Sequence, residues 1–134
     1  MKLFTLLTIL LVSASSSSAQ NANIENMKQF VWGGESSYNE VSIGNASRLM
    51  IVKMSVPKDS LKGNVTLWTF GKDGRLSIHL YDIKLKKDSL VASYTYKFHT
   101  KKNTLTLTPK DGKSMVFDVT FTAGIIANLT LKKE

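Results

Sequence analysis

Two histidines are the side chains of this chain whose ordinary pKa lies closest to neutrality, and there is no cysteine. Acid–base or metal chemistry would therefore need His79 or His99 to converge with a carboxylate such as Asp82 or Asp118. The alternating pattern around each histidine puts it on the polar side of a strand, opposite the apolar side, so the two do not share an apolar cleft. No metal-ligand spacing occurs. Asp59, Asp73, Asp88 and Asp111 fall in turn contexts, where Asp bonds to nearby backbone N–H groups. Gly33-Gly34 lacks the strand and helix that a phosphate loop requires. The chain is thus expected not to be an enzyme and to need no metal or cofactor. Asn45-Ala-Ser47, Asn64-Val-Thr66 and Asn128-Leu-Thr130 are glycosylation acceptors only in a host that glycosylates.

What remains is apolar binding. Met54, Trp68, Phe70, Ile78, Tyr94, Tyr96, Phe98, Phe117 and Val119 are the candidate lining of a ligand cavity. The two tyrosines tilt this set toward a ligand, because an inward phenol needs a hydrogen-bond partner. The simpler alternative is that the same side chains fill the interior.

The element that positions them is the hairpin centred on Lys72-Asp73-Gly74. A three-residue loop with Gly74 in the left-handed region pairs Phe70 with Leu76 and Trp68 with Ile78. Leu49 to Val56 reads as a preceding strand stopped by Pro57, with Met50, Val52, Met54 and Val56 on its inward face. Leu90 to Phe98 alternates, with Leu90, Ala92, Tyr94, Tyr96 and Phe98 inward. A loop at Lys101 to Thr104 pairs Thr100 with Leu105 and Phe98 with Leu107. Lys110-Asp111-Gly112 pairs Leu107 with Met115 and Leu105 with Phe117. Thr122-Ala123-Gly124 pairs Phe121 with Ile125, Val119 with Ala127 and Phe117 with Leu129. Gly74, Gly112 and Gly124 are the structural turn residues.

These turns preserve one apolar face, and a one-residue slip at any of them would turn that face to water. The expected fold is all-β: an antiparallel up-and-down meander over 49–134, closed into a small barrel of about eight strands. Residues 20–48 supply a short helix, plug or first strand. Asn23 is placed to cap a helix carrying Ile24, Met27 and Val31.

Residues 1–19 read as a signal peptide: Lys2, the apolar run Leu3 to Val12, then Ser17 and Ala19 at the cleavage positions. That run is too short to span a membrane, and the expected location is secreted or periplasmic. The formal net charge of +8 suits anionic partners such as lipid headgroups, acidic glycans or nucleic acid. The lysines stand as pairs at turns (Lys86-Lys87, Lys101-Lys102, Lys132-Lys133), which reads first as solubility and protection of strand edges. They do not form the stripe of a nucleic-acid binder, so no nucleic acid is expected.

Leu67-Trp-Thr-Phe-Gly-Lys-Asp-Gly-Arg-Leu76, Tyr94-Thr-Tyr96, Asn103-Thr-Leu-Thr-Leu107 and the ending Leu129-Thr-Leu131 resemble the lipocalin-like domains of secreted Bacteroidetes-type proteins. The lipocalin Gly-x-Trp of the first strand is missing; Trp32-Gly33 is not that motif. The resemblance implies an eight-stranded barrel, often with an apolar cavity. Two functions follow from these readings. One is carriage of a small apolar ligand inside the barrel. The other is a filled barrel that binds a protein or glycan partner through its loops or an edge strand.

If the leader reading holds, intact-mass measurement of exported protein gives a chain beginning at Gln20. A retained residue 1 would contradict it.

Overall fold

The computed structural model describes residues 24–132. The leader, its cleavage site and Asn23 lie outside the described residues. Eight antiparallel strands form one sheet that closes in a ring. They are β1 (Val31–Gly34), β2 (Arg48–Lys53), β3 (Val65–Phe70), β4 (Arg75–Asp82), β5 (Lys87–His99), β6 (Thr104–Thr108), β7 (Met115–Thr122) and β8 (Ile126–Leu131). A 3-10 helix, Ile24–Gln29, precedes β1, and a short helix α1 (Glu40–Asn45) follows it.

From β3 to β8 each strand pairs with the next, as successive short turns require. The first strands break that order. β1 lies between β2 and β3, and β2 closes the ring against β8. The up-and-down order expected across the whole sheet is therefore corrected. β2 and β3 run parallel on either side of β1, so the chain from Met54 to Asn64 must return along the ring before β3 can start. Pro57 and the 3-10 turn Lys58–Ser60 lie in that return. A connection without a tight turn carries no register signal, which is why pairing arguments missed it.

The central hairpin has the expected register, Phe70 with Leu76 and Trp68 with Ile78. Gly74 has φ +81°, and the Gly71 N–H donates to the Arg75 carbonyl at 2.9 Å. Leu107 faces Met115 and Leu105 faces Phe117, as the next Asp-Gly loop requires. Gly112 and Gly124 also have positive φ, +147° and +71°.

Two registers are corrected by two residues each. Phe98 pairs with Leu105, not Leu107, because Asn103 rather than a later residue takes the left-handed position that closes the loop. Phe121 pairs with Ala127, not Ile125. There Ala123 and Gly124 both have positive φ, as in a type I′ turn, and the Ile125 N–H donates to the Thr122 carbonyl. Both slips are even, so the inward faces survive them.

Two faces are corrected outright. On β2 the interior holds Leu49 (2% exposed) and Ile51, while Met50 (51%) and Val52 face out. Leu-Met-Ile-Val is apolar on both sides, so alternation could not choose. Pairing of Leu49 with Leu129 and of Ile51 with Ala127 settles the choice. On β5 a register shift between Ile78 and His79 leaves Val91 as an extra residue, which sends Leu90 outward at 59% exposed.

The interior is a single cluster of buried side chains running through all eight strands. Both ends of the ring are plugged. Ile24 and Met27 of the 3-10 helix enter at one end and Ile43 of α1 at the other, all fully buried. Trp32 Nε1 donates to the Met27 carbonyl at 3.0 Å, tying the first plug to β1. Asn39 caps α1 by accepting from the Ser42 N–H, and Ser42 returns the bond to the Asn39 N–H.

Gly34 is a point of closest packing. A Cβ there would lie 2.8 Å from Thr66 Oγ1 and from the Tyr38 ring and 2.9 Å from Trp68 Nε1, whereas one at Gly44 in α1 meets nothing within 4 Å. Gly34→Ala is expected to lower stability by about 1–3 kcal/mol, the range for overpacking a filled interior. Gly44→Ala should leave it unchanged or raise it by up to about 1 kcal/mol, through helix propensity. Urea unfolding of the two variants measures the contrast, and equal midpoints would remove the packing argument.

Candidate functional site

The structure brings eight of the nine expected cavity residues to one side of the sheet. Trp68, Phe70, Ile78, Phe117 and Val119 are buried within the core cluster, with Tyr94 and Tyr96 beside them. Phe98 packs at one mouth of the ring, half-buried, its ring centroid 5.4 Å from Phe70 and 5.1 Å from Tyr96. The ninth, Met54, is corrected. It leaves the end of β2 on the outside, where its sulfur lies over Gly33.

These side chains lie against one another inside a ring whose ends are plugged. Tyr38 meets Trp68 edge-on with centroids 5.8 Å apart, and Phe70 meets Tyr96 the same way at 5.1 Å. Trp68 Nε1 donates to Thr66 Oγ1 at 3.1 Å, and Thr66 Oγ1 donates to the Glu35 carbonyl at 3.0 Å. The Tyr96 hydroxyl donates to the Gly71 carbonyl. Apolar area and polar tips are thus used internally, as in a packed small barrel.

Tyr94 differs. It is 2% exposed, and its hydroxyl has no hydrogen-bond partner among the described residues. Burial first, and then the Glu40 carboxylate, push its pKa up to about 12. The phenol therefore stays protonated through the physiological range. It borders a recess of about 330 Å³ between α1 and the β6–β7 loop, with Glu40, Pro109, Asp111 and Lys113 around it.

The larger concavity lies on the outer wall. Because the return after β2 crosses outside β1 and β3, it leaves a half-open groove of about 520 Å³. Phe30, Val31, Met54, Val56 and Leu67 give it an apolar lining; Thr69, His79, Lys58 and Asp88 add polar groups. Lys58 Nζ lies 3.3 Å from Asp88 Oδ2, so the charge there is paired. Lys53 Nζ sits 3.6 Å above the Phe30 ring, holding that wall in place. Tyr81 faces outward yet is 2% exposed, because the return covers it. Its hydroxyl and Asp59 Oδ1 are 3.2 Å apart, and Lys58 stands 5.1 Å from its ring.

Sequence reasoning missed this groove. The one signal was the length of the Pro57-containing connection, too long for a hairpin turn. His79 lies on the outer side of β4, as alternation placed it. Among the described residues no three His, Asp or Glu side chains gather as a metal site would need. No helix of the described residues is long and apolar enough to cross a membrane.

The unpaired phenol has two measurable consequences. Tyr94→Phe removes a buried group with no partner, so stability at neutral pH should hold or rise by about 1 kcal/mol. In the unfolded chain a Tyr ionises near pH 10, below the folded value of about 12. The stability this group contributes is therefore complete below about pH 10 and is lost as pH rises toward 12. Burial raises the pKa of Tyr38 and Tyr96 as well, so alkaline unfolding persists in the variant but is shallower. Thermal melts across that window measure the difference, and identical alkaline limbs would refute it.

No family model matches this chain, and no curated protein or solved structure matches it.

Proposed function

We propose that this chain is a secreted or periplasmic, non-enzymatic binding protein of lipocalin-like barrel form. It holds a small amphipathic ligand in the groove on its outer wall rather than inside the barrel. The observation that carries this reading is the groove of about 520 Å³ between the post-β2 return and the outer faces of β1, β3 and β4. Its volume and its apolar lining with a few polar groups are those of small-molecule sites. The plugged, side-chain-filled interior supports moving the ligand outward. The ligand has an apolar body against Phe30, Val31, Met54 and Leu67 and an uncharged hydrogen-bonding head toward Thr69 and His79. A neutral head is favoured because Asp88 already balances Lys58. Lys2, the Leu3–Val12 run and Ala19 support export.

Ring closure bears on the alternative reading. Every strand has two neighbours, so no whole strand is left as a free edge, although β5 meets β6 only over Thr95–His99. An interaction protein would use its loops or the one-sided first half of β5.

A panel of long-chain alcohols and retinoids should include a micromolar binder, about −8 kcal/mol, by titration calorimetry. Leu67→Arg, on the outer face of β3, should weaken that binding by at least about tenfold, a difference of about 1.4 kcal/mol. Ile78→Val, inside the ring, should leave it unchanged at a stability cost of about 1 kcal/mol. Sensitivity to Ile78 without sensitivity to Leu67 would place the ligand inside. Absence of any saturable binder across the panel would sink the carrier reading.

A further inference from the structure

The fold gathers three lysines that the sequence keeps far apart. Lys28 comes from the N-terminal plug, Lys72 from the central β3–β4 turn and Lys97 from the end of β5. All three border one recess of about 230 Å³ at the plugged mouth of the ring. A single carboxylate, Glu25, lines the same recess. Asp73, whose carboxylate acts on Tyr96 of the lining, is a second acid beside it, so three lysines meet two carboxylates and one positive charge is in excess around one small volume. Like charges held together cost free energy that a bound anion would relieve.

The wall of the recess is aromatic. Phe98 is half-buried, and its ring is fixed by Phe70 and by Tyr96, whose hydroxyl donates to the Gly71 carbonyl. Gly74 lines the opposite approach without a side chain, and nothing lies within 4 Å of where its Cβ would be. The recess thus offers a rigid apolar plane, open access and a surplus of ammonium donors. Recognition of an anion beside a flat, partly apolar ring needs those three features together.

We propose that this recess binds one acidic sugar unit of a polysaccharide. Its carboxylate or sulfate lies among Lys28, Lys72 and Lys97, and its ring lies against Phe98. A concavity of single-ring size with one aromatic wall favours a discrete sugar over a flat anionic bilayer. The proposal stands apart from the groove, which lies on a different face and carries a neutralised lysine.

The experiment titrates the mature protein with a sulfated oligosaccharide, a polyuronate oligosaccharide and a neutral glucan fragment, with vesicles of anionic lipid as a fourth arm. Saturable binding of either acidic oligosaccharide and none of the neutral one is expected, weakening as salt rises. Lys28→Ala/Lys72→Ala/Lys97→Ala should lose at least about tenfold in affinity, or 1.4 kcal/mol. Lys84→Ala/Lys86→Ala/Lys87→Ala removes the same charge from the exposed β4–β5 turn and should stay within about twofold of wild type. Phe98→Tyr should retain binding and Phe98→Leu weaken it, with melting curves verifying the fold. Equal losses in the two triple variants would reduce the effect to net charge and overturn the site. Binding to vesicles but not to oligosaccharides, or no binding at all, would overturn the ligand class.

Discussion

Four residues, Val31–Gly34, hold the sheet closed. β2 and β3 meet only through β1, so without it the ring would open into two edges and its apolar interior would face water. Such a short strand cannot be stabilised by its ladder alone. Its side chains supply the rest. Trp32 points inward, 2% exposed, and its indole N–H holds the 3-10 plug through the Met27 carbonyl. Gly34 leaves room for Tyr38, Thr66 and Trp68 to meet. The second indole N–H runs through Thr66 Oγ1 to the Glu35 carbonyl and so fixes the chain leaving β1 toward α1. Each end plug thus hangs from a buried indole that would be costly to leave unpaired.

How much of this was written in the sequence depends on which forces fixed each part. From β3 to β8 local turn chemistry and alternation acted together, and inward faces were legible even where the register was two residues off, except at the start of β5, where the extra residue Val91 turns Leu90 outward. Gly74 declared its turn because Asp-Gly is a strong signal. Ala123-Gly124 did not, because Ala rarely takes the left-handed region it occupies at φ +54°. β2 was illegible for the opposite reason: Leu49, Met50, Ile51 and Val52 are all apolar, and only the partner strand β8 decides between them. The place of β1 was invisible because it depends on long-range closure. Trp32 and Gly34 serve that closure without any periodic pattern.

The candidate site was less legible than the fold, and for a related reason. The inward aromatics share one face, and they pack against one another in a single buried cluster. The outer-wall groove comes instead from the least regular segment. Because β1 separates β2 from β3, the chain must travel back over the outer wall, where it covers Tyr81 and overhangs Leu67 and His79. An apolar residue at an outward strand position, such as Leu67 or Val31, is ordinarily unremarkable. Here several meet under one overhang, which no alternating pattern announces.

The groove and the lysine recess differ in their electrostatics. In the groove Lys58 is met by Asp88 at 3.3 Å, and the remaining lining is largely apolar. At the plugged mouth Lys28, Lys72 and Lys97 border one recess with Glu25, and Asp73 acts on Tyr96 of its lining, so positive charge is in excess by one. Apolar contact is nearly insensitive to ionic strength, while exposed charge is screened beyond about 10 Å at ~0.1 M salt. Binding of the proposed ligands to the groove and to the recess would therefore respond to different variables. The return after β2, crossing the outer wall, shapes the first. The convergence of the N-terminal plug, the β3–β4 turn and β5 shapes the second. Both lie outside the buried core of the closed sheet, so neither proposed ligand would have to open that core to bind.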